Sequence, residues 1–496
     1  MIRKYLILYF LLIATHTFAQ RDPIAVKYAA AITTEDLKDN LSIIASDAME
    51  GRETGKRGQK MAAAFIASYF EELGLIAPVN GNYYQPVPLY TTNAPTVAVR
   101  VGSAELTNEE YIYVGSFETA GMIDMPIVFA GNGTEAEISK MDLTGRAVMF
   151  LSDPAVSVIN NSLVRVLRNK GAKMVFTVIE KEDDFKRITI GARSFTGGRL
   201  SLTRQTGQTA NTGLFYLNAQ AAGKIFNTTL DKLKKSSADK KLNKIKPTTI
   251  SYSITQGYRE IRSENILGFL EGTDKKDEVV VITAHYDHIG ISTEAEGDKI
   301  NNGADDDGSG TVAVLAMAKA FVQAKKEGSG PRRSILFMTV TGEEKGLLGS
   351  RYYTDNPVYA LSGTVANLNI DMIGRRDPQH KDSAPYVYVI GSDKLSTELH
   401  TLSETANKTY TNLIFDYTYN DEQHPERIYY RSDHWNFARN NIPIVFYFDG
   451  VHDDYHKSSD EVDKIEFDLL AARAKTVFHT AWEIANRDGR LVVDKK

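Results

Sequence analysis

Cysteine is absent from all 496 residues of the chain. Without thiols there can be no disulfide bond, no thiolate zinc site, no iron–sulfur cluster and no cysteine nucleophile. A metal site would have to use histidine, aspartate and glutamate, and histidine is scarce, with ten residues. An excess of basic charge is also missing, because 58 Lys and Arg residues stand against 63 Asp and Glu residues, for a net charge of −5. We therefore expect no nucleic-acid partner.

The rest of the composition is that of a folded protein. Hydrophobic residues make up 42% of the chain and charged residues 24%, which is ordinary for globular domains. At about 150 residues per domain, the length predicts roughly three domains. A chain of this size can bury a substantial core.

The N-terminus carries the pattern of an export signal. Arg3 and Lys4 precede an apolar run at residues 5–14, and a stretch that ends in small residues stops at Ala19. This order is typical of a secretory signal peptide at residues 1–19 that is cleaved after Ala19. We therefore expect an exported protein, periplasmic or extracellular, with no membrane segment after cleavage.

The remaining chain changes character twice. Helical spacing of apolar residues dominates residues 34–76, within a first segment at 20–95,. Short strand-like runs fill residues 96–252, a stretch without histidine that we do not expect to carry the chemistry. From 253 to 496, buried strands alternate with helices. This alternation predicts an α/β domain with a largely parallel central sheet flanked by helices.

Acidic and imidazole residues of this last part cluster where the predicted strands end. The strands are predicted at 278–283, 334–340, 365–370 and 444–448, and the polar segments lie at 284–287, 302–308, 341–344, Asp371 and 454–456. Ligands of open α/β sheets bind at the carboxyl ends of the strands. Histidine and carboxylate together suit a metal site.

The number of these side chains favours two metal ions over one. A single catalytic zinc commonly has three protein ligands and a water. Two histidines with three or more carboxylates instead suit two ions that share a bridging carboxylate. The adjacent residues Glu343 and Glu344 could then have different roles, with one carboxylate binding metal and the other acting as a general base.

Five motifs in this part resemble those of the co-catalytic di-zinc aminopeptidase family. The motifs are HYD at 285–287, GADDDGSG at 303–310, GEEKGLLGS at 342–350, NIDM at 369–372 and DYH at 454–456. That family includes secreted bacterial leucine aminopeptidases, glutamate carboxypeptidases and animal glutaminyl cyclases. The resemblance implies a zinc exopeptidase fold, with a mixed, largely parallel central sheet flanked by helices.

The resemblance also extends to the other segments. Residues 47–90, which include EGR at 50–52, are similar to the N-terminal part of the peptidase domain. Residues 96–252 resemble the small, β-rich protease-associated domain that many members carry as an insert. The chain would thus consist of a signal peptide, a peptidase domain in two parts (20–95 and 253–496) and the insert.

By the same resemblance, two Zn²⁺ ions are held by five residues. His285 and Asp371 would bind one ion, Glu344 and His456 would bind the other, and Asp306 would bridge the two. The family pattern also implies a cis peptide bond between the bridging aspartate and the residue that follows it.

The resemblance assigns the catalytic roles as well. Glu343 would be the general base that takes a proton from a water bridging the two ions, and then the acid that protonates the leaving amine. Tyr455 would donate to the developing oxyanion, and Asp287 would hydrogen-bond His285 and fix its tautomer. Arg431 would touch the substrate. Three histidines near the motifs are predicted to be structural: His288, His434 and His452.

The function implied is that of a secreted di-zinc metallo-aminopeptidase that hydrolyses the N-terminal residues of peptides. A carboxypeptidase or dipeptidase on the same scaffold is the alternative, because Arg431, Arg375 or Arg376 could hold a substrate carboxylate. Glutaminyl cyclase activity and a non-catalytic, receptor-like binding role are further alternatives. The sequence predicts neither the side-chain preference nor the oligomeric state.

Overall fold

The computed structural model describes residues 21–93, 95–115, 118–139, 141–151, 161–195, 199–204, 213–292 and 297–495. The chain divides into two compact units. Unit 1 contains Met1–Val87 and Arg262–Lys496, and unit 2 contains Pro88–Ile261. The signal peptide predicted at residues 1–19 lies outside the described residues and stays a prediction, as does the protease-associated identity of the insert predicted at residues 96–252.

Helices occur in both units. Over the described residues they are α1 (Pro23–Ala29), α2 (Thr34–Ile44), α3 (Arg57–Leu73), α4 (Glu135–Ile138), α5 (Asn161–Asn169), α6 (Glu182–Phe195), α7 (Ala219–Ile225), α8 (Leu230–Ala238), α9 (Gly310–Lys326), α10 (Leu348–Asp355), α11 (Thr397–Tyr410), α12 (His434–Ala438) and α13 (Phe467–Asn486).

Strands likewise occur in both units. They are β1 (Tyr84–Thr92), β2 (Thr96–Val101), β3 (Ala104–Glu105), β4 (Tyr111–Val114), β5 (Ile123–Phe129), β6 (Ala147–Leu151), β7 (Met174–Ile179), β8 (Gly213–Asn218), β9 (Thr248–Thr255), β10 (Tyr258–Leu270), β11 (Lys275–His285), β12 (Gly290–Ile291), β13 (Ile300–Asn301), β14 (Arg333–Val340), β15 (Thr364–Ile370), β16 (Tyr386–Ile390), β17 (Ile414–Asp416) and β18 (Ile444–Phe448).

The large sheet of unit 1 is mixed, with a parallel centre. Its strand order is β1-β10-β14-β11-β15-β18-β16-β17. Strand β11 pairs in parallel with β14 and β15, and β15 pairs in parallel with β18. The pairs β10–β14 and β16–β18 are antiparallel. This confirms the prediction of a mixed α/β domain and places the carboxyl ends of four central strands at one edge.

Apolar side chains of β11 fill two separate cores. Val280 and Ile282 belong to a cluster that includes residues of α9 and α13. Val279 and Val281 belong to a second cluster that includes α12 residues. Successive side chains of a strand point to opposite faces, so both faces of the sheet are covered. The unbroken apolar run of β11 is the consequence.

Helix α9 begins directly behind the acidic segment at 305–307. Asp307 contacts its first residue, because the Oδ1 atom of Asp307 accepts a hydrogen bond from the Gly310 amide at 2.9 Å. This hydrogen bond satisfies one of the amides that a helix N-terminus leaves without a partner. Most residues of α9 are buried in the core, which fixes the acidic segment against the sheet.

Unit 2 is built on an eight-stranded sheet and also contains helices, so the segment predicted as a β-rich insert is a mixed α/β unit. Its sheet has the order β3-β2-β9-β5-β6-β7-β8-β4. Strands β5 to β8 pair in parallel. Parallel neighbours need crossover connections, which are usually helical, and α4 to α8 lie in this part of the chain.

No helix among the described residues is both long enough and apolar enough to cross a membrane.

Candidate metal centre

Four central strands of unit 1 deliver polar side chains to one edge of the sheet. Strand β11 ends at His285, and β15 ends directly before Asp371. Glu343 and Glu344 follow β14, and residues 454–456 follow β18. Because β14, β11, β15 and β18 are parallel neighbours, their carboxyl ends share an edge. The acidic segment before α9 meets them there.

Three side chains form a first metal position. The Nε2 atom of His285 lies 3.2 Å from Asp306 Oδ1 and 3.4 Å from Asp371 Oδ1, and the three residues are buried. Tetrahedral zinc with bonds of about 2.0–2.1 Å sets its ligand atoms about 3.3 Å apart. The spacing therefore suits one divalent ion.

A second metal position shares the same aspartate. His456 Nε2 lies 3.0 Å from Asp306 Oδ2 and 3.3 Å from Glu344 Oε2. Asp306 thus offers one carboxylate oxygen to each position, which is the arrangement of a bridging ligand. All five metal ligands that the resemblance implies are brought together here.

The neighbours of Asp306 are occupied by main-chain contacts. Asp307 accepts hydrogen bonds from the amides of His285 at 3.1 Å and Met372 at 3.1 Å. Asp305 accepts one from the Gly374 amide at 2.7 Å. The peptide bond between Asp306 and Asp307 is cis. Of the three consecutive aspartates, the middle one is therefore the residue that faces both metal positions.

The donor atoms at these positions lack other partners, which is the sign of a metal site. Among the described residues, His285 Nε2, Asp306 Oδ2 and Glu344 Oε1 are buried without a hydrogen bond. A buried polar atom without a partner costs about 1–3 kcal/mol. Two bound cations, one at each position, would satisfy these three atoms, so the residues present fit a metal pair.

The electrostatics of the site agree with this conclusion. Burial acts to raise the pKa of Asp306, but contacts with His285 and His456 hold that pKa well below its usual range. Burial acts to lower the pKa of His456, whereas Asp306 and Glu344 raise it to about 10. The carboxylates thus impose a strongly negative potential that a divalent cation would neutralise.

Asp287 contacts His285 differently from the prediction. The Nδ1 atom of His285 lies 2.9 Å from the main-chain oxygen of Asp287, not from its carboxylate. The carboxylate instead accepts hydrogen bonds from the Thr54 hydroxyl at 2.6 Å and from the Glu343 amide at 3.2 Å. The tautomer of His285 is therefore set by a carbonyl group, while the carboxylate positions the main chain of the predicted base.

A second polar pair orients Asp371. Its Oδ2 atom accepts a hydrogen bond from the Ser432 hydroxyl at 2.6 Å. Asn369 donates to Ser432 in turn, at 2.9 Å. With Oδ2 engaged, Oδ1 is directed to the first metal position. Such outer partners hold metal ligands in place and raise affinity.

A cavity opens beside the first metal position. Glu343, Tyr455 and Arg431 all line it, as the resemblance implies. Its other lining residues are His285, Asp306, Asp371, Met372, Ile428, Phe446, Phe448 and Val451. Part of the lining is thus apolar and aromatic. Burial raises the pKa of Glu343 well above its usual range, which suits a residue that must take up a proton.

Two of the three arginines predicted to hold a substrate carboxylate form ion pairs away from the cavity. Arg375 lies 2.9 Å from Asp454 and does not line the cavity. Arg376 lies 3.0 Å from Glu466. Arg431 is half exposed and lies 3.3 Å from Glu426. Of the three, Arg431 alone lines the cavity.

The three histidines predicted to be structural divide into two groups. His434 Nε2 lies 2.7 Å from the Tyr429 carbonyl, and burial lowers the pKa of His434 to about 3. His452 lies 3.2 Å from Asp305. His288, in contrast, groups with Asp306 and Glu344 around the second metal position. The sequence signal that could have indicated this role is its place three residues after a ligand.

Comparisons with known proteins agree with this centre. Residues 265–481 match the model of Peptidase family M28. A "Probable leucine aminopeptidase" of Arthroderma otae is 31% identical over 218 residues, which are 42% of this chain and 55% of that protein. "Aminopeptidase YwaD" of Bacillus subtilis is 34% identical over 114 residues, which are 23% of this chain and 22% of that protein.

A solved structure shows the same fold. The aminopeptidase from Aneurinibacillus sp. strain AM-1 aligns with a TM-score of 0.51 and 18% identity, over 95% of this chain and 98% of the other. The chain spans about half the length of the leucine aminopeptidases that it matches in sequence. All ligands of both metal positions lie within the matched residues 265–481. These residues, which carry the whole candidate metal centre, are similar to peptidase family M28.

Proposed function

We propose that the protein is a di-zinc aminopeptidase that removes residues from the N-terminus of peptides. The observation that carries this proposal is the pair of buried metal positions that share Asp306, with the unliganded carboxylate Glu343 in the adjoining cavity. We also propose, from the pattern of residues 1–19, that the protein acts outside the cytoplasm.

The proposed residues divide into ligands and reacting groups. His285, Asp306 and Asp371 would hold one zinc, and Glu344 and His456 would join Asp306 at the other. When bound, two zinc ions polarise a scissile carbonyl and lower the pKa of water. Zinc is the default for such a donor set, although other first-row metals accept the same ligands.

Glu343 would move the proton of the reaction. It lines the cavity with three of the ligands but is not itself within either metal group. Its carboxylate would take a proton from the attacking water and deliver it to the leaving amine. Asp287 supports this role, because it holds the amide of Glu343 at 3.2 Å.

Tyr455 would donate its hydroxyl to the oxygen of the scissile carbonyl as negative charge develops there. It lines the cavity, and its ring stacks on His456 with 3.9 Å between centroids. Replacing Tyr455 with Phe keeps the stacking and removes the donor. We expect kcat to fall about 10²- to 10³-fold with unchanged zinc content, measured by steady-state kinetics and elemental analysis. An unchanged kcat would remove Tyr455 from the mechanism.

The apolar wall of the cavity supports a preference for apolar side chains at the cleaved end. Ile428, Phe446 and Phe448 lie on this wall. Burying a Leu-sized side chain against such a wall is worth about 1.5–3 kcal/mol. We therefore expect N-terminal Leu or Phe to be preferred over Glu or Lys by about tenfold or more in kcat/KM.

One digestion tests both the reaction and the end of the peptide that is recognised. The zinc-loaded protein is incubated with a pentapeptide of five distinct residues, beside its N-acetylated and C-amidated forms, and masses are followed over time. We expect stepwise loss from the N-terminus, blocked by acetylation and unaffected by amidation. Loss from the C-terminus, blocked by amidation, would instead assign a carboxypeptidase anchored at Arg431.

A further inference from the structure

We propose that His288 is a fourth protein ligand of the second metal position, which would hold its ion more tightly than the first position does. The inference rests on the two-metal site proposed above. It adds His288 to the ligands Asp306, Glu344 and His456.

The packing around His288 holds its ring at the site. The residue is fully buried, and its amide donates to the Arg52 carbonyl at 3.2 Å. Gly303 lies directly against the ring, at a positive φ of 56°, and a Cβ atom there would come within 2.6 Å of His288 Cδ2. Only glycine leaves room for the imidazole on that side.

The Nδ1 atom of His288 lies among the donors of the second position. It is 2.9 Å from Glu344 Oε1 and 3.7 Å from Asp306 Oδ2. These separations bracket the value of about 3.3 Å expected between two ligands of one tetrahedral zinc. His288, Asp306 and Glu344 together form a group whose donor atoms lie within 4.8 Å of one another.

His288 Nδ1 and Glu344 Oε1 lie 2.9 Å apart. Among the described residues, both His288 Nδ1 and Glu344 Oε1 are buried without a hydrogen-bond partner. A well-directed N–H group at this distance would make a bond, so the geometry between them is not that of a regular hydrogen bond. With Asp306 Oδ2 at 3.7 Å, the separations suit ligands of one ion,.

His285 provides an internal comparison. Its Nε2 atom is also buried without a hydrogen bond, and it lies 3.2 and 3.4 Å from two carboxylate oxygens. His288 Nδ1 has the same combination of burial, missing partner and carboxylate neighbours. A histidine that only fills space would satisfy at least one of its nitrogens, as His434 does,.

A fourth ligand gives the two positions different affinities. The second position would have four protein ligands, Asp306, Glu344, His456 and His288, whereas the first would have three. The cavity is lined by His285 and Asp371 of the first position and by the shared Asp306, but by neither His288 nor Glu344. With four protein ligands, the second ion would be held more tightly.

The test is a zinc titration of the His288→Asn variant beside the wild type, in competition with a chromophoric chelator. We expect the Kd of the tighter zinc to rise about tenfold or more, with little change in the weaker one. The matched control is His479→Asn, a buried histidine in α13 that stacks on Tyr410, and its zinc affinities should equal those of the wild type. Equal affinities in His288→Asn would overturn the inference.

X-ray absorption of the wild-type di-zinc protein gives a measurement that does not depend on a variant. We expect three imidazole ligands over two ions, an average of about 1.5 per zinc, instead of one per zinc. An average of one imidazole would overturn the inference and leave the proposed function intact. A wild-type protein that takes up no zinc would overturn the proposed function, and this inference with it.

Discussion

Replacing Glu343 with Gln is expected to lower kcat about 10²- to 10⁴-fold while both zinc ions stay bound. Gln has the size of Glu but cannot take up the proton of the attacking water, and general acid–base catalysis contributes about that factor. Metal binding should survive, because Glu343 belongs to neither ligand group. The amide of residue 343 would still donate to Asp287. Steady-state kinetics and elemental analysis on the same sample measure the two effects.

The adjacent glutamate is the matched control. Glu344→Gln makes the same chemical change one residue further on, at a side chain 3.3 Å from His456 and close to His288. We expect this variant to lose one zinc ion as well as activity. A Glu343→Gln protein with undiminished kcat would end the assignment of the base. If Glu343→Gln instead lost zinc, the roles of the two glutamates would have to be exchanged.

The parts of the fold that could be predicted from sequence are those set by unbroken apolar runs. Strands β14, β15 and β18 and residues 279–285 of β11 are continuous buried segments, because they lie between two cores. The polar segments after them could be assigned to one site because parallel neighbours place their ends at one edge. This reasoning needs only the order of residues along the chain.

The order of residues along the chain does not predict the direction in which distant strands pair. Strand β16 runs antiparallel to β18, and residues 266–270 of β10 run antiparallel to β14, although the paired segments are all similar apolar runs. Their direction follows from which loops and helices connect them, and periodicity does not encode it. The same holds for unit 2, where β5 to β8 pair in parallel, a direction that the sequence pattern does not reveal.

Residue types in the candidate site likewise do not predict which individual atoms contact each other. The motif HYDH supplies two histidines and an aspartate within four residues, and their types alone suggest a ligand and a carboxylate partner. The structure differs from this expectation in two contacts. The main-chain oxygen of Asp287, not its carboxylate, contacts His285, and the ring of His288 lies next to Glu344. Main-chain direction over 286–288 sets both contacts, and one buried side chain largely sets that direction.

That side chain is Arg52, and replacing it with Met is expected to destabilise unit 1 severely. The guanidinium group of Arg52 is fully buried and donates to four main-chain oxygens, at 2.6–2.9 Å, in the segments that carry the ligands and in α2. The acceptors are Tyr286, Asn302, Gly303 and Ile44. No carboxylate accepts from this guanidinium among its described hydrogen bonds. Arg52 therefore cross-links main-chain segments through hydrogen bonds and does not act as one half of an ion pair.

The size of the effect follows from the four carbonyls that Met would leave without a donor. Each buried unsatisfied group costs about 1–3 kcal/mol, so even with partial relaxation the loss is on the order of 4 kcal/mol. Zinc affinity should fall as well, because Tyr286 lies between His285 and Asp287, and Gly303 lies three residues before Asp306. Thermal unfolding and a zinc titration of the same variant measure the two losses.

Arg57→Met is the control for this experiment. Arg57 lies in the same region of the chain, but its side chain is 73% exposed and pairs with Glu50 at 2.7 Å. Exposed ion pairs contribute about 0.2–1 kcal/mol, so this variant should unfold close to the wild-type temperature and bind zinc normally. If Arg52→Met unfolded and bound zinc like Arg57→Met, the segments at 285–288 and 302–306 would keep their conformation without the hydrogen bonds of Arg52. The bound metal pair would then be the main source of order in these segments.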